Sequence, residues 1–173
     1  ETIISIYNAV VKGIPSMERV VTVTGDGVVN PGNYKVLFGT NQNELIEAAG
    51  GLKEGCEKVI SGGPMMGFAM YTTDTPITKT SSSILCMSKD EVSACEPTAC
   101  INCGRCVDAC PSRIIPSRLA DFAERHDEEA FLKFNGLECV ECGSCSYVCP
   151  AKRQLKQAIG SMRKTALANK KKK

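Results

Sequence analysis

The chain has 173 residues, 43% of them hydrophobic, which suits one folded domain or two small ones. Its apolar runs stay well below the roughly 18 residues of a membrane-spanning helix, and no signal-peptide pattern opens the sequence. The net charge of +2 is unevenly spread, because residues 152–173 carry nine basic and no acidic side chains. Since Glu1 leads straight into apolar periodic sequence, we expect a fragment that lacks a natural N-terminal portion.

Residues 2–88 alternate between helical and strand-like periodicity, which is typical of a small α+β module behind an N-terminal helix. The spacing predicts a helix over 2–12 capped by Gly13, and a second helix over 41–49 that begins at Thr40 and ends at Gly50-Gly51. It predicts strands over 19–25, with a hairpin-type turn at Asp26-Gly27, and over 34–39, 58–61, 75–79 and 82–87.

Residues 88–99 resemble a charged linker into a region dominated by cysteine. Within that region, Ser117 and Asp127 are placed to cap two consecutive helices, the second ending near Gly136. A last helix is expected over about 151–167, followed by a disordered basic tail over 168–173. Because residues 95–150 have few apolar side chains, we expect their folding to depend on bound metal.

Eight of the eleven cysteines form two copies of the pattern C-x₂-C-x₂-C-x₃-C-P. Motif 1 is CINCGRCVDACP, residues 100–111, and motif 2 is CVECGSCSYVCP, residues 139–150. Two intervening residues let the backbone curl between successive thiolates, and Gly104 and Gly143 permit the tight turn. This spacing is typical of proteins that bind two [4Fe–4S] clusters, in which the fourth cysteine of each motif binds the cluster of the other.

The pattern therefore predicts two cofactors, both [4Fe–4S] clusters, and a crossed set of ligands. Cluster 1 would be bound by Cys100, Cys103, Cys106 and Cys149. Cluster 2 would be bound by Cys139, Cys142, Cys145 and Cys110. Zinc or free thiols are the weaker alternatives, because zinc sites share single C-x₂-C pairs. No catalytic acid, base or nucleophile group is evident.

The remaining features favour structural roles. Cys56 and Cys86 are expected to be small buried hydrophobic residues, whereas Cys95 could be a spare ligand. The segment GGPMMG, residues 62–67, is expected to form a tight turn whose Met65 and Met66 pack in the core, with a ligand-contacting loop as the alternative. The lysine-rich tail could reach anionic lipid, while nucleic-acid binding is not expected because basic and aromatic residues do not alternate.

Taken in order, these segments resemble the RnfC family. The resemblance rests on RVVTVTGDGVVNPGNYKVLFGT and VISGGPMMGFAM, which are similar to its soluble-ligand-binding β-grasp (SLBB) segment, followed by the paired cysteine motifs. It implies an α+β fold in which an SLBB-like β-grasp domain over 15–88 precedes a mainly α-helical two-cluster ferredoxin domain over 89–167. Residues 1–14 would be a helix that packs on a missing N-terminal domain.

The same resemblance implies a function. RnfC is the peripheral subunit of a membrane ferredoxin:NAD⁺ oxidoreductase that couples electron flow to Na⁺ or H⁺ translocation. FMN and NADH would bind in the missing N-terminal region, and this fragment would relay electrons without a complete substrate site. Implied partners are the other Rnf membrane and iron–sulfur subunits, with NADH or ferredoxin as electron partner, at the cytoplasmic face of the membrane.

Two alternatives stay open at this point. A cobalamin-reductase-type relative would share the domain order and cofactors but catalyse another reaction. A ligand-binding β-grasp module would capture a small ligand, and its clusters would be structural.

Overall fold

The structure, a computed structural model, describes residues 2–90 and 94–172. The chain divides into two compact units, Glu1–Glu91 and Val92–Lys173. Glu91, Val92 and Ser93, which belong to the linker expected from the sequence, lie outside the described residues, as do Glu1 and Lys173. The prediction of an α+β fold with a helical second unit is confirmed.

The first unit is a five-stranded mixed sheet with one helix packed on it. The strand order is β2-β1-β5-β3-β4, in which only the central β1–β5 pair is parallel. The elements are helix α1 (Thr2–Lys12) and helix α2 (Gln42–Ala48), with strands β1 (Glu18–Thr24), β2 (Gly32–Leu37), β3 (Lys58–Ser61), β4 (Phe68–Ala69) and β5 (Ser83–Met87).

Alternation along the strands produces the core of this unit. Val21 and Val23 of β1 are fully buried, and Ile84 and Cys86 of β5 lie beside them on the parallel neighbour. Leu45 and Ile46 of α2 close the core from one side. Burial at Val21 and Val23, two residues apart, thus gives β1 one face toward the core, with the more exposed Val20, Thr22 and Thr24 on the other.

Several expectations for this unit are corrected. Residues 75–79 form no strand beyond the isolated bridge between Asn41 and Pro76, because proline lacks the N–H that would extend a ladder. Asp26 and Gly27 are not a two-residue hairpin turn but part of a longer connection, in which the Asp26 carboxylate accepts a hydrogen bond from Ser88 N (3.0 Å). The cap of α2 is Asn41, which accepts from Asn43 N, rather than Thr40.

The segment over residues 62–67 is a turn, as expected, but its methionines are not in the core. Met65 and Met66 are exposed because the turn joins β3 to the short edge strand β4, which the sequence analysis missed. The turn needs glycine at its end, since a Cβ on Gly67 would lie 2.5 Å from Gly63 O and 2.6 Å from an Ile60 methyl. The residues therefore form a tight hairpin.

Helix α1 has the predicted bounds of 2–12, and Gly13 follows it with φ of 65°. Its apolar residues are left uncovered: Ile3 and Val10 are 82% and 79% exposed, and none of the helix is buried. An exposed apolar helix face of this kind is typical of a surface that contacts another protein segment.

The second unit consists of helices around a small core. Helices α4 (Pro116–Glu124), α5 (Glu128–Lys133) and α7 (Leu155–Lys172) surround Leu119, Phe131, Leu155 and Ile159. The short helices α3 (Arg105–Asp108) and α6 (Ser144–Tyr147) lie within the cysteine motifs, and a 3₁₀ helix, Gly136–Glu138, precedes motif 2. The apolar residues of α4 and α5 thus share their core with α7, which lies beyond the stretch expected to depend on metal.

The helix ends in this unit follow the sequence only in part. Asp127 caps α5 as predicted, accepting a hydrogen bond from Ala130 N (2.9 Å). Ser117 does not cap α4, because Pro116 occupies the first helical turn, where its missing N–H is not needed. Helix α7 begins at Leu155 and continues to Lys172, where a disordered tail was expected. Lysine favours helices, and positive charge at their C-terminal ends is stabilising. Among residues 2–90 and 94–172, no helix is long and apolar enough to cross a bilayer.

Gly136 is expected to be intolerant of any side chain. A Cβ placed there would lie 2.3–2.5 Å from ring carbons of the fully buried Phe131. We expect Gly136→Ala to destabilise the second unit by about 3 kcal/mol, measured as a lower thermal midpoint, since overpacked cores cost roughly this much. Adding Phe131→Leu should make room and recover part of the loss; simple additivity of the two substitutions would contradict this account.

Candidate iron–sulfur site

The two cysteine motifs adopt the same local conformation. In each, the second residue after the first cysteine has a left-handed backbone, with φ of 54° at both Asn102 and Glu141. The glycine after the second cysteine is also left-handed, with φ of 78° at Gly104 and 85° at Gly143, and it is the N-cap residue of the short helix that follows. Because only glycine adopts this conformation without cost, the predicted role of the two glycines in the tight turn is confirmed.

Motif 1 lines a cavity together with the end of motif 2. The cavity has a volume of about 120 Å³, and its wall includes the four cysteines proposed for cluster 1: Cys100, Cys103, Cys106 and Cys149. The first two are exposed and the other two are half-buried. The fourth cysteine of motif 2 thus lies with the first three of motif 1, whereas Cys110, the last cysteine of motif 1, is not in this wall.

The other four cysteines interact with one another. The Cys139 thiol lies within electrostatic range of both Cys110 and Cys142, and Cys145 within range of Cys139 and Cys142. All four are half-buried or buried, and Cys110, Cys139 and Cys145 belong to the edge of the helical core. The structure therefore brings the last cysteine of motif 1 to the first three of motif 2.

Two contacts account for this crossing. Thr98 N, just before motif 1, donates a hydrogen bond to Ala151 O, just after motif 2 (2.9 Å). The short helices α3 and α6 also contact each other directly. The motifs consequently lie side by side in opposite directions, so that the end of each is next to the beginning of the other.

The protonation of the thiols depends on their surroundings. Burial raises the pKa of Cys145 to about 11 and also raises the pKa of Cys139, whose Sγ accepts from Glu141 N (3.4 Å). A hydrogen bond with Ser144 Oγ (3.5 Å) lowers the pKa of Cys142. The buried thiols hold their protons at neutral pH, so metal ligation must release protons.

These residues fit a [4Fe–4S] cluster better than a single ion. Within the described parts of the chain, no three His, Cys, Asp or Glu side chains are close enough to hold one metal ion. A cubane requires a wider arrangement, because each thiolate bonds a different iron at a separate corner. The motif 1 cavity provides such an arrangement, because four thiols lie on its wall beside the tight backbone turn at Gly104.

Charged residues next to the motifs were missed by the sequence analysis. Arg153 lines the cavity of motif 1, and its guanidinium bonds Asp121 and Glu124 of α4, both at 2.9 Å. These bonds raise the already high pKa of Arg153 against the opposing effect of burial, so it remains a cation. Arg163 of α7 bonds Glu141 within motif 2 at 3.2 Å. The signal in the sequence was the basic block over residues 152–173 after a cysteine region rich in acidic residues, and it does not indicate which charges pair.

The three remaining cysteines lie outside both groups. Cys86 is fully buried in the sheet, as expected, and burial raises its pKa to about 11. Cys56 is half-buried and packs against the same core. Cys95 is exposed and is absent from the wall of the motif 1 cavity.

Comparisons with known proteins match this order of units. The family described as the SLBB domain matches residues 20–69, and the family described as the 4Fe-4S dicluster domain matches residues 99–153. The chain is 48% identical over 159 residues to a subunit of the proton-translocating ferredoxin:NAD(+) oxidoreductase complex of Clostridium ljungdahlii, covering 91% of this chain and 35% of that protein.

Two further relatives carry related names. The chain is 39% identical over 171 residues to a subunit of the Na(+)-translocating ferredoxin:NAD(+) oxidoreductase complex of Acetobacterium woodii, covering 99% of this chain and 39% of the relative. It is 41% identical over 129 residues to a subunit of the ion-translocating oxidoreductase complex of Yersinia pestis, covering 74% of this chain and 21% of the relative. The chain thus spans well under half the length of these relatives. With its SLBB and dicluster domains and its similarity to these subunits, it belongs to the RnfC family.

Proposed function

We propose that this chain relays single electrons through two [4Fe–4S] clusters held in crossed fashion by its two motifs. Cys100, Cys103, Cys106 and Cys149 would ligate cluster 1, and Cys139, Cys142, Cys145 and Cys110 cluster 2. The cavity that gathers Cys149 with three cysteines of motif 1 is the observation that carries the proposal. When bound, each cluster supplies a site that accepts and releases one electron.

The chain's own residues set the conditions for this transfer. The contact of α3 with α6 supports two neighbouring sites, as electron transfer between them requires. Backbone N–H groups directed at sulfur, such as that of Glu141 toward Cys139, stabilise added negative charge. The protein thus contributes ligation, spacing and electrostatics, and the chemistry belongs to the cofactor.

We further propose that the chain acts within a longer subunit of an ion-translocating ferredoxin:NAD⁺ oxidoreductase complex, as the names of its relatives suggest. FMN and NADH would bind in a region that precedes these residues, and ferredoxin and the other subunits would be partners at the cytoplasmic membrane surface. The exposed apolar face of α1 supports contact with such a preceding region. The SLBB unit over 15–88 and the cluster unit over 89–167 would follow.

Binding of a small ligand by the β-grasp unit is a second candidate function. A cavity of about 480 Å³ borders β4 and is lined by Gln42, Phe68 and several threonine and serine hydroxyls. Gln42 is buried, and its Oε1 has no hydrogen-bond partner among the described residues, although its Nε2 donates to Thr75 Oγ1. Small-molecule sites have this size and this mixture of apolar walls with a few polar groups.

Electron paramagnetic resonance of the anaerobically reconstituted chain tests the relay. We expect about eight irons per chain and, after reduction, two [4Fe–4S]⁺ signals that broaden each other because the sites are close. Reoxidation by a viologen dye should recover both oxidised clusters. A Cys56→Ser variant should behave identically, since Cys56 lies outside both groups. A colourless protein with stoichiometric zinc would reject the proposal, and clusters that cannot be reduced would favour a structural role.

A further inference from the structure

The two motifs differ in charge at one equivalent position. Asn102 lies between the first two cysteines of motif 1, and Glu141 occupies the same place in motif 2. Both have φ of 54°, a left-handed conformation that asparagine tolerates better than glutamate. The local backbone therefore favours asparagine, and glutamate in motif 2 has a conformational cost that motif 1 avoids.

A second cost appears on the facing helix. Gly160 lies inside α7, where glycine is a less favourable helix residue than alanine. A Cβ at this position would lie 3.0 Å from Glu141 Oε2, so the glycine leaves room for the carboxylate. The left-handed Glu141 of motif 2 and Gly160 of α7 are thus each locally unfavourable, and both accommodate one negative charge beside motif 2.

The carboxylate is held by a partner of opposite charge. Arg163 Nη1 donates to Glu141 Oε1 at 3.2 Å, and Arg163 Nε donates to Leu137 O at 3.2 Å. Both side chains of the pair are about a quarter to a third exposed, so water screens them only in part. Glu141 also contacts a proposed ligand directly, since its backbone N–H donates to Cys139 Sγ (3.4 Å), so the carboxylate is carried by a residue next to this sulfur.

We propose that Glu141 and Arg163 act in opposite directions on the reduction potential of cluster 2, so that each residue of the ion pair cancels the effect of the other. An electron added to the cluster is repelled by the Glu141 carboxylate and attracted by the Arg163 guanidinium, and the intact pair balances the two effects. The inference rests on the proposed ligation of cluster 2 by Cys110, Cys139, Cys142 and Cys145. Both residues are positioning residues, which act on the cluster through charge and not through bonds to iron.

Potentiometric titration followed by electron paramagnetic resonance tests this proposal on the reconstituted chain. Glu141→Gln leaves Arg163 unbalanced and should shift one of the two potentials to a more positive value. Arg163→Met leaves Glu141 unbalanced and should shift the same potential to a more negative value. The double variant should return close to the wild-type value. The potential that moves should be the one whose signal disappears in a Cys142→Ala variant.

The two single variants distinguish an effect of charge on the potential from an effect of altered structure. Loosening of motif 2 would move the potential in the same direction in both single variants, or destroy the cluster in both, and either result would overturn the proposal. A shift in the other cluster, or none, would also overturn it. Glu18→Gln is the matched control, because it breaks the ion pair with Lys35 in the first unit and should leave both potentials unchanged. If the wild type bound neither cluster, the proposed relay would fail as well. Unchanged potentials in variants that bind both clusters would overturn only the proposal for the ion pair, so the two failures can be distinguished.

Discussion

Replacing Cys103 and Cys149 together by alanine is expected to remove one [4Fe–4S] cluster and leave the other intact. The two residues come from different motifs but line the same cavity, so the double variant takes both ligands from one site. About four irons per chain should remain, and the reduced protein should give one unbroadened signal. Iron and sulfide analysis with electron paramagnetic resonance would measure the outcome.

The companion variant removes two cysteines of a single motif. Cys142→Ala with Cys149→Ala should damage both sites, since Cys142 belongs with Cys139 and Cys145 whereas Cys149 lines the other cavity. Neither site would keep four cysteines, and no intact pair of [4Fe–4S] signals is expected. If each motif bound its own cluster, the two double variants would exchange their results. The comparison therefore decides between crossed and separate ligation, even if both variants are less stable.

Removal of iron is expected to loosen the cysteine motifs far more than the rest of the chain. Metal binding contributes directly to the folding free energy of such sites. Amide hydrogen exchange over residues 99–113 and 138–150 should become faster by roughly 100-fold or more in the apo protein. Helices α4 and α7 should lose less protection, because Leu119, Leu155 and Ile159 form a core among themselves.

The first unit supplies an internal reference for this experiment. Strands β1 and β5 are held by Val21, Val23 and Ile84, which belong to the core cluster of the first unit. Their exchange rates should be the same with and without iron. Equal protection of the motifs in apo and holo protein would show that the loops are rigid without metal, contrary to this expectation.

The sequence allowed prediction of those elements whose signal is local. Helix α1 and strand β3 have the predicted bounds, and Asp127 caps α5, because apolar periodicity and capping chemistry act within a few residues. The cysteine offsets were equally informative. The offsets could not show that Thr98 N donates a hydrogen bond to Ala151 O, since that contact joins residues far apart in the chain.

The errors arose where a local pattern competed with a tertiary or steric constraint. Residues 75–79 alternate like a strand, yet Ile77 is the one buried residue of an irregular segment whose Pro76 forms only an isolated bridge with Asn41. Strand β4 was missed because two residues exposed at a sheet edge carry no periodicity. The ion pair of Arg163 with Glu141 joins a helix to a loop 22 residues away, which no local pattern indicates.

The unequal exposure of the sulfurs has a practical consequence for handling the protein. Cys100 and Cys103 face solvent, whereas Cys145 is buried within the helical core. Dissolved oxygen and peroxide attack accessible thiolates first, so damage in air should begin at the site formed by motif 1. Material purified in air would then be expected to resemble a protein with a single cluster, and anaerobic purification to preserve both of the proposed clusters.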